Sequence, residues 1–557
     1  MIPMPPADHA LPGLATIFDE EAMVRLLAEP LGAGEGFALL ACRPRYIRYK
    51  PGTSCLVQVD LAFRDGHGAD RTIGAHLKLF VDDRARRRAE SSRMRRLQDR
   101  AQAESPGSRA AFIPELNGLL QVYPVDYDLK SLARVTDPAW VGDRIGRTLS
   151  DRLIAVSGQP GLIRYKPERK ALIRYDLDHA PYDRLYGKLH ADDRGADLAV
   201  WTMALIDAGV ATPPVVVSLP ERQFIAHAEA VGLPLAALRG SAGYVGWMEP
   251  LAGSMRELQQ VELPGLGSHR LADEIAAVKE TARLLGTIAP RLAIRLDCIT
   301  NDIAAQLSGV SDLLHTAHGD FYDDQAVVSG SGLALIDLDE MRLAHPAIDA
   351  GNMLAHLISG QDWGDDLAAA AAFREAVLTR DPTLAPNLAA FEAAALLRLA
   401  PGPFRRLEPD WPEGIARILT LAEKCLAGTR STDPPNGRGL ANDPLLPNLP
   451  QVMDRTTIAR HLADHGVTTP IVGVELVRHK VGRRAIVRYN LGGGSSFYGK
   501  TFASERGPRV FRIAQRVSRC LGVRPRRGPA GTGCLRAGMQ PAHPARGCRE
   551  FGRNGAP

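Results

Sequence analysis

Several things this chain lacks narrow its class. No apolar run in its 557 residues approaches the roughly 18 a membrane-spanning helix needs, so no membrane role is expected. The opening MIPMPPADHALPGL has no basic region followed by an apolar core, which reads as no signal peptide and a cytoplasmic protein. Cysteines are few: the seven are scattered, with no CxxC, which argues against a disulfide framework or a clustered metal site and for reduced thiols. There is also no basic face. The net charge is +5, but residues 521–557 alone hold seven arginines against one glutamate, leaving the rest near neutral. A nucleic-acid partner is therefore not expected.

What is present is ordinary for a globular protein, 45% hydrophobic and 24% charged, at a length that suits three or four domains. One pattern occurs three times. The first copy runs Tyr46-Ile-Arg-Tyr-Lys-Pro-Gly, Cys55–Phe63, then Gly74-Ala-His-Leu-Lys78. The second runs Leu162-Ile-Arg-Tyr-Lys-Pro-Glu, Ala171–Leu177, then Tyr186-Gly-Lys188. The third runs Leu476-Val-Arg-His-Lys-Val-Gly, Ala485–Leu491, then Tyr498-Gly-Lys500. Each reads as two strands joined by a tight turn and a third strand carrying a lysine, a three-stranded antiparallel meander.

The spacing of the copies divides the chain. Lys50 and Lys166 are 116 residues apart, too few for a meander lobe plus a helical lobe, whereas Lys166 and Lys480 are 314 apart, enough for both. The expected plan is α+β: a degenerate first lobe over 1–140, a second lobe over 141–235, and a helical lobe over 236–430. A Pro/Asn-rich linker over 431–450 leads to a partial third copy over 451–517, and a disordered or frameshifted tail over 518–557. Between these, Arg84–Arg100 reads as a charged helical stretch with a solvated face, and Gly195–Ala208 as an amphipathic helix. Gly232-Leu-Pro-Leu reads as a hinge. Asp273–Ile288, Asn301–His315, Ile348–Ile358, Leu367–Leu378, Leu388–Leu399 and Ile415–Leu426 read as helices.

The chemistry concentrates in Ala317–Leu357, where His318-Gly319-Asp320 and Asp337-Leu338-Asp339 stand either side of two apolar runs and a Ser/Gly turn. That reads as a loop feeding a β-hairpin, which would fold Asp320, Gln325 and Asp337 together. A carboxylate to take a proton, with an amide oxygen and a second carboxylate for a hard cation, is the equipment of phosphoryl transfer. The stretch occurs once and heads no other copy, so Lys188 has a better claim than Lys78 or Lys500 to be its partner.

HGDFYDDQ, IDLD and HPAIDAGN over 317–357 resemble the aminoglycoside phosphotransferase/choline kinase-like family, whose core reads HGDxxxxN, IDxE/D and GDPxxDLA. The resemblance covers about 143–426. It implies a bilobal protein-kinase-like fold, ATP and Mg²⁺, with Asp320 as catalytic base, Gln325 and Asp337 as metal ligands, and Lys188 as the phosphate-binding lysine. His318 would brace the loop, and Asp349 would cap and position the following helix. Gln325 departs from the family's asparagine, with Asp324 beside it as a substitute ligand. Neither Asp197 for Lys188 nor Glu90 for Lys78 is a settled ion-pair partner.

Around the nucleotide, the turn Lys166–Lys170 replaces a glycine-rich loop: its amides with Lys166 or Lys170 would touch phosphates, or it is a solvated hairpin turn. Glu229-Ala-Val231, read as the last strand before the hinge, would offer backbone to an adenine edge. The expected activity is transfer of a phosphoryl group to a hydroxyl of a small metabolite. Asp323, Asp324, Asp339 and Glu340 would suit a cationic acceptor such as an aminoglycoside, with a neutral sugar or polyol equally open. The competing reading is a pseudokinase-type nucleotide-binding or scaffolding protein. The extra first lobe is expected to make an intramolecular or dimer contact.

Overall fold

The computed structural model describes residues 7–32, 37–65, 67–101, 109–151, 153–178, 181–241, 243–330, 332–360, 363–429, 449–463, 469–480, 484–491 and 496–502, with two short pieces at 526–527 and 533–534. The chain divides into two compact units, Met1–Thr432 and Asp433–Pro557.

The first unit begins with an antiparallel sheet of β1 (Ala38–Lys50), β2 (Ser54–Arg64), β3 (Asp70–Phe80), β4 (Ala110–Ile113) and β5 (Gly118–Val122), ordered β1-β2-β3-β5-β4. A second sheet follows, of β6 (Ala155–Val156), β7 (Gly161–Lys166), β8 (Lys170–Asp178), β9 (Arg184–His190), β10 (Val215–Leu219) and β11 (Phe224–Ala228). Its order is β10-β11-β9-β8-β6, with β7 also on β8. Strand character comes from alternation: in β8, Ala171, Ile173 and Tyr175 are buried while their neighbours are partly open.

The meander repeat is real to the residue. Lys78 pairs across the sheet with Leu56, and Lys188 with Leu172, the same register. Lys50 lies opposite Ser54, and Lys166 opposite Lys170. The first two copies also use an upstream aspartate in one way. Asp8 accepts from the Tyr49 hydroxyl and the Gly52 amide, both at 2.8 Å. Asp126 accepts from the Tyr165 hydroxyl and the Glu168 amide, again both at 2.8 Å. Gly187 marks a close approach: a Cβ there would lie 2.6 Å from the Phe224 and Tyr175 rings. The first sheet solves the same space the other way round, with Leu77 at the glycine position and Val59 at the tyrosine position.

Interspersed with the first helices of the lobe that follows are β12 (Leu233–Pro234), β13 (Ser268–His269), β14 (His315–Ala317), β15 (Ala326–Ser329), β16 (Gly332–Leu335) and β17 (Arg342–Ala344). They form two small sheets, β12-β15-β16 and β13-β17-β14. The helical lobe comprises Met248–Gln259, Leu271–Ile288, Ala293–Ser308, Ala347–Ser359, Trp363–Arg380, Leu388–Leu399 and Trp411–Thr429. Ala347–Ser359 and Leu388–Leu399 are apolar almost all round and form its centre. They touch at Gly351, where a Cβ would lie 2.7 Å from the Phe391 backbone.

Several element readings need correction. The helix expected over Asn301–His315 is Ala293–Ser308; it ends at Gly309, and His315–Ala317 is a strand paired with Arg342–Ala344. Arg84–Arg100 is two helices, because the Ser91 hydroxyl accepts the Met94 amide at 3.1 Å and starts a new one. Pro138–Thr148 and Met248–Gln259, short and interrupted by Pro and Gly, escaped the periodic reading.

The core is distributed unexpectedly. Residues of the first sheet such as Ile47, Val57 and Leu77 belong to the same apolar cluster as the helical lobe. Tyr49 packs on Phe404 with ring centres 6.5 Å apart. The second sheet has a core of its own, built from Ile173, Tyr175, Leu189 and Phe224 with Leu129, Leu132 and Val135. A boundary at residue 140 therefore runs through that core.

In the second unit, β18 (Ile471–Lys480), β19 (Arg484–Leu491) and β20 (Ser496–Phe502) form the third meander, preceded by helices Leu449–Met453 and Arg455–Ala463. Ile486 pairs with Lys500 in the register of the other two copies. Two strands of two residues, β21 (Arg526–Arg527) and β22 (Gly533–Cys534), extend the sheet. The linker reading over 431–448 and the rest of the tail reading lie outside the described residues. Among the described residues no helix is long and apolar enough to cross a membrane.

Candidate active site

The hairpin β15–β16 brings the two acidic clusters together. Ile336 donates its amide to the Gln325 carbonyl at 2.9 Å, closing the hairpin mouth, and Asp337 follows at once in a left-handed conformation (φ 56°). That conformation is unfavourable for a residue with a side chain and is held here by the contacts Asp337 makes. Asp320 belongs to the loop on the other side of the mouth. His318, fully buried, reaches the Ile336 carbonyl through Nε2 at 2.9 Å and ties the loop to the hairpin.

Asp349 does a different job from the helix capping expected of it. The helix Ala347–Ser359 begins without a side-chain cap. The fully buried Asp349 carboxylate instead accepts the His318 amide at 2.7 Å and the Gly319 amide at 2.9 Å. These charge-assisted bonds fix the loop that carries Asp320. Gly319 is required in it: φ is +82°, and a Cβ would collide with the Glu340 carbonyl.

Lys188 reaches this mouth from the second sheet. Its Nζ donates to Asp337 Oδ1 and to Asp339 Oδ1, both at 2.7 Å. Lys170, at the end of the Lys166–Lys170 turn, donates to Asp339 Oδ2 at 2.6 Å and to Asp337 Oδ1 at 3.4 Å. Burial disfavours all these charges, yet the pairing outweighs it. Lys188 is held above the ordinary lysine value by Asp339 and Asp337, while Asp337 and Asp339 are held below the carboxylate range by Lys188 and Lys170. The question of the Lys188 partner is thus answered by Asp337 and Asp339, and exposed Asp197 has no part in it.

Asp320 has the opposite character. Burial, then the charges of Asp337 and Glu340, push its carboxyl upward, against the downward pull of His318 and Lys166. A raised pKa makes a carboxylate a better proton acceptor. Lys166 shares this field: burial and the neighbouring Lys170 and Arg164 lower its pKa, and Asp337 and Asp320 oppose the fall. Asp320, Asp337, Lys188 and Lys166 therefore lie in one electrostatic neighbourhood. Gln325 is 5% exposed and joins it through its backbone bond to Ile336, while Asp324 is exposed.

Other expected residues fall elsewhere. Strand β11 ends at Ala228, so Glu229 and Val231 lie in the connection beyond it. The Glu229 carboxylate takes Arg184 at 3.2 Å and the Tyr186 hydroxyl at 3.4 Å, and Val231 is 80% exposed. Of the acids meant for a cationic acceptor, Asp339 is taken by the two lysines. Asp323 is clamped by both Arg239 nitrogens at 2.7 Å and by Tyr244 at 2.6 Å. Asp324 and Glu340 remain exposed.

Glu168 does not stand out in the sequence, where Lys166–Lys170 reads as a solvated turn or a nucleotide loop and Glu90 is the acid that suits Lys78. Glu90 is exposed, and Lys78 is paired instead with Glu168, the tip of the second lobe's turn, at 2.5 Å. A signal was available: the other two copies have glycine at this turn position, Gly52 and Gly482.

Among the described residues no cluster of three or more His, Cys, Asp or Glu is placed to hold a metal. Gln325 and Asp337, on either side of the hairpin mouth, bear oxygens of the kind a hard cation takes, and Asp337 Oδ1 is here bonded to Lys188 and Lys170.

No family model matches the chain, and no curated protein matches it. Solved structures do. An aminoglycoside phosphotransferase APH(4)-Ia mutant in ternary complex with AMP-PNP and hygromycin B is 15% identical, covering 52% of this chain and 99% of its own, at a TM-score of 0.41. A choline/ethanolamine kinase family protein from Mesorhizobium loti is 14% identical over 49% and 93%, at 0.37. Amicoumacin kinase hAmiN, in complex with AMP-PNP, Ca²⁺ and Ami, is 11% identical over 48% and 88%, at 0.38. These structures carry the names of small-molecule kinases and phosphotransferases.

Proposed function

We propose that the chain is an ATP-dependent phosphotransferase acting on a hydroxyl of a small molecule. The observation that carries this is the pair of opposed carboxylates at one hairpin mouth: Asp320 pushed up and in no ion pair among the described residues, Asp337 pushed down and held by Lys188. Environments that drive two acids apart assign them different work. Asp320 orients the acceptor hydroxyl and takes its proton. Asp337 and the Gln325 amide oxygen would hold Mg²⁺, which when bound draws charge from the transferred phosphoryl group. Lys188, with Lys166 or Lys170, faces the nucleotide phosphates, and the ammonium groups now on Asp337 and Asp339 supply the positive charge those phosphates need.

With Asp323 and Asp339 spent on arginine and lysine, a neutral sugar or polyol fits the acceptor side as well as an aminoglycoside does. A second reading, nucleotide binding without transfer, is favoured by one observation: Gln325 stands where the resembled family has asparagine. ADP formation from Mg·ATP with a panel of aminoglycosides, amino sugars and polyols separates the two. Phosphoryl transfer by the parent and a loss of about 10²-fold or more in Asp320→Asn is the expected result. Turnover unchanged in Asp320→Asn would remove Asp320 as the base.

A further inference from the structure

Glu168 sits in a costly place. Its φ is 61°, the left-handed region, and the equivalent residue of the first copy is Gly52 at φ 62°. A glutamate there gives up the conformational ease of glycine, so something must hold it. What holds it is the first lobe. Lys78 binds Oε2 at 2.5 Å, Arg48 binds Oε2 at 3.1 Å, and Arg88 approaches Oε1 at 3.4 Å. The carboxylate is 5% exposed, and Arg88 is shared with Asp128 at 3.1 Å. Around this clasp Asp126 takes the Glu168 amide and the Tyr165 hydroxyl, while Gln58 donates to the Tyr165 carbonyl at 2.9 Å.

The two lobes thus use their third-strand lysine alike. Lys188 of the second lobe grips the Asp337–Asp339 segment, and Lys78 of the first lobe grips the second lobe's turn. The first lobe is in turn built into the core of the helical lobe. That core, the Lys78–Glu168 pair and the Lys170–Asp339 pair close a circuit through all three bodies.

We propose that the first lobe is a positioning device for the candidate site: Glu168, held by Lys78, Arg48 and Arg88, sets the Lys166–Lys170 turn so that its two lysines face the phosphates of the nucleotide. Lys166 and Lys170 are paired directly across the turn whose tip is Glu168, and the tip is the point the first lobe grips. Glu168 touches no reacting atom and acts through these lysines. This rests on the phosphotransferase reading.

The test is a double-mutant cycle of Glu168→Gln and Lys78→Met on the full chain, reading the Kd for Mg·ATP, kcat and KM, with Lys78→Arg as the conservative variant. Amide exchange of Glu168 and Arg169 without nucleotide is followed alongside. Each single variant is expected to weaken Mg·ATP about tenfold and to raise KM for ATP more than it lowers kcat. The double variant should be no weaker than either single one, Lys78→Arg should recover most of the affinity, and the turn amides should exchange faster in Glu168→Gln. Folded single variants with parental Kd and KM, or additive losses, would overturn the proposal. A parent that fails to bind Mg·ATP while its Glu168 amide still exchanges slowly overturns the phosphotransferase reading and the role of the turn with it, leaving the clasp a structural joint. A parent that transfers phosphate while Glu168→Gln behaves identically overturns the positioning role alone.

Discussion

At the scale of the residue, charge at the hairpin mouth is divided unequally. Asp337 and Asp339 gain from ionisation because Lys188 and Lys170 meet them, whereas Asp320 bears burial and like charge with no ion pair among the described residues. The sign of the effect on stability follows. A carboxyl raised in the fold above its ordinary 3.8 keeps its proton longer folded than unfolded, so it costs stability once pH rises past 3.8. Asp320→Asn should therefore melt above the parent at neutral pH, with the gap closing as pH falls toward 3.8. Melting curves of the two proteins across about pH 4 to 8 check it. A variant that melts below the parent at neutral pH would show Asp320 to be a structural anchor.

At the scale of the element, one helix start governs the loop. Asp349 offers two acceptors to one buried and one part-buried amide, and Asp349→Ala would leave both donors bare at a cost of about 3 kcal/mol. Denaturant unfolding should register that loss, and turnover should fall as well because Asp320 loses its support. Full activity in a destabilised variant would separate the brace from the site. Much of the element plan was legible in the sequence. Alternation marked the meanders, and the apolar period marked Leu388–Leu399 to the residue. The convergence of Gln325 and Asp337 followed from hairpin logic, since register in a two-stranded turn is local. Ion pairs between elements distant in sequence were not legible. Lys78–Glu168 spans 90 residues and Lys188–Asp339 spans 151, and no local propensity encodes them. Asp349 was misread for a related reason, because a carboxylate in the first turn of a helix is equally able to serve that helix or a neighbouring loop.

At the scale of the whole molecule, the first unit is one antiparallel lobe inserted into the service of another. The first sheet shares its core with the helical lobe and presents its lysine to the second sheet's turn, whereas the second sheet's lysine meets the candidate site. Everything proposed for the site depends on its binding nucleotide through a cation held at the hairpin mouth. Calorimetric titration of ATP, with and without Mg²⁺, into the parent, Asp337→Ala and Asp320→Asn tests that claim most directly. Mg²⁺-dependent binding in the parent, its retention in Asp320→Asn, and a loss of about tenfold or more in Asp337→Ala are expected. Absence of binding in the parent, or equal affinity in Asp337→Ala, would contradict that claim.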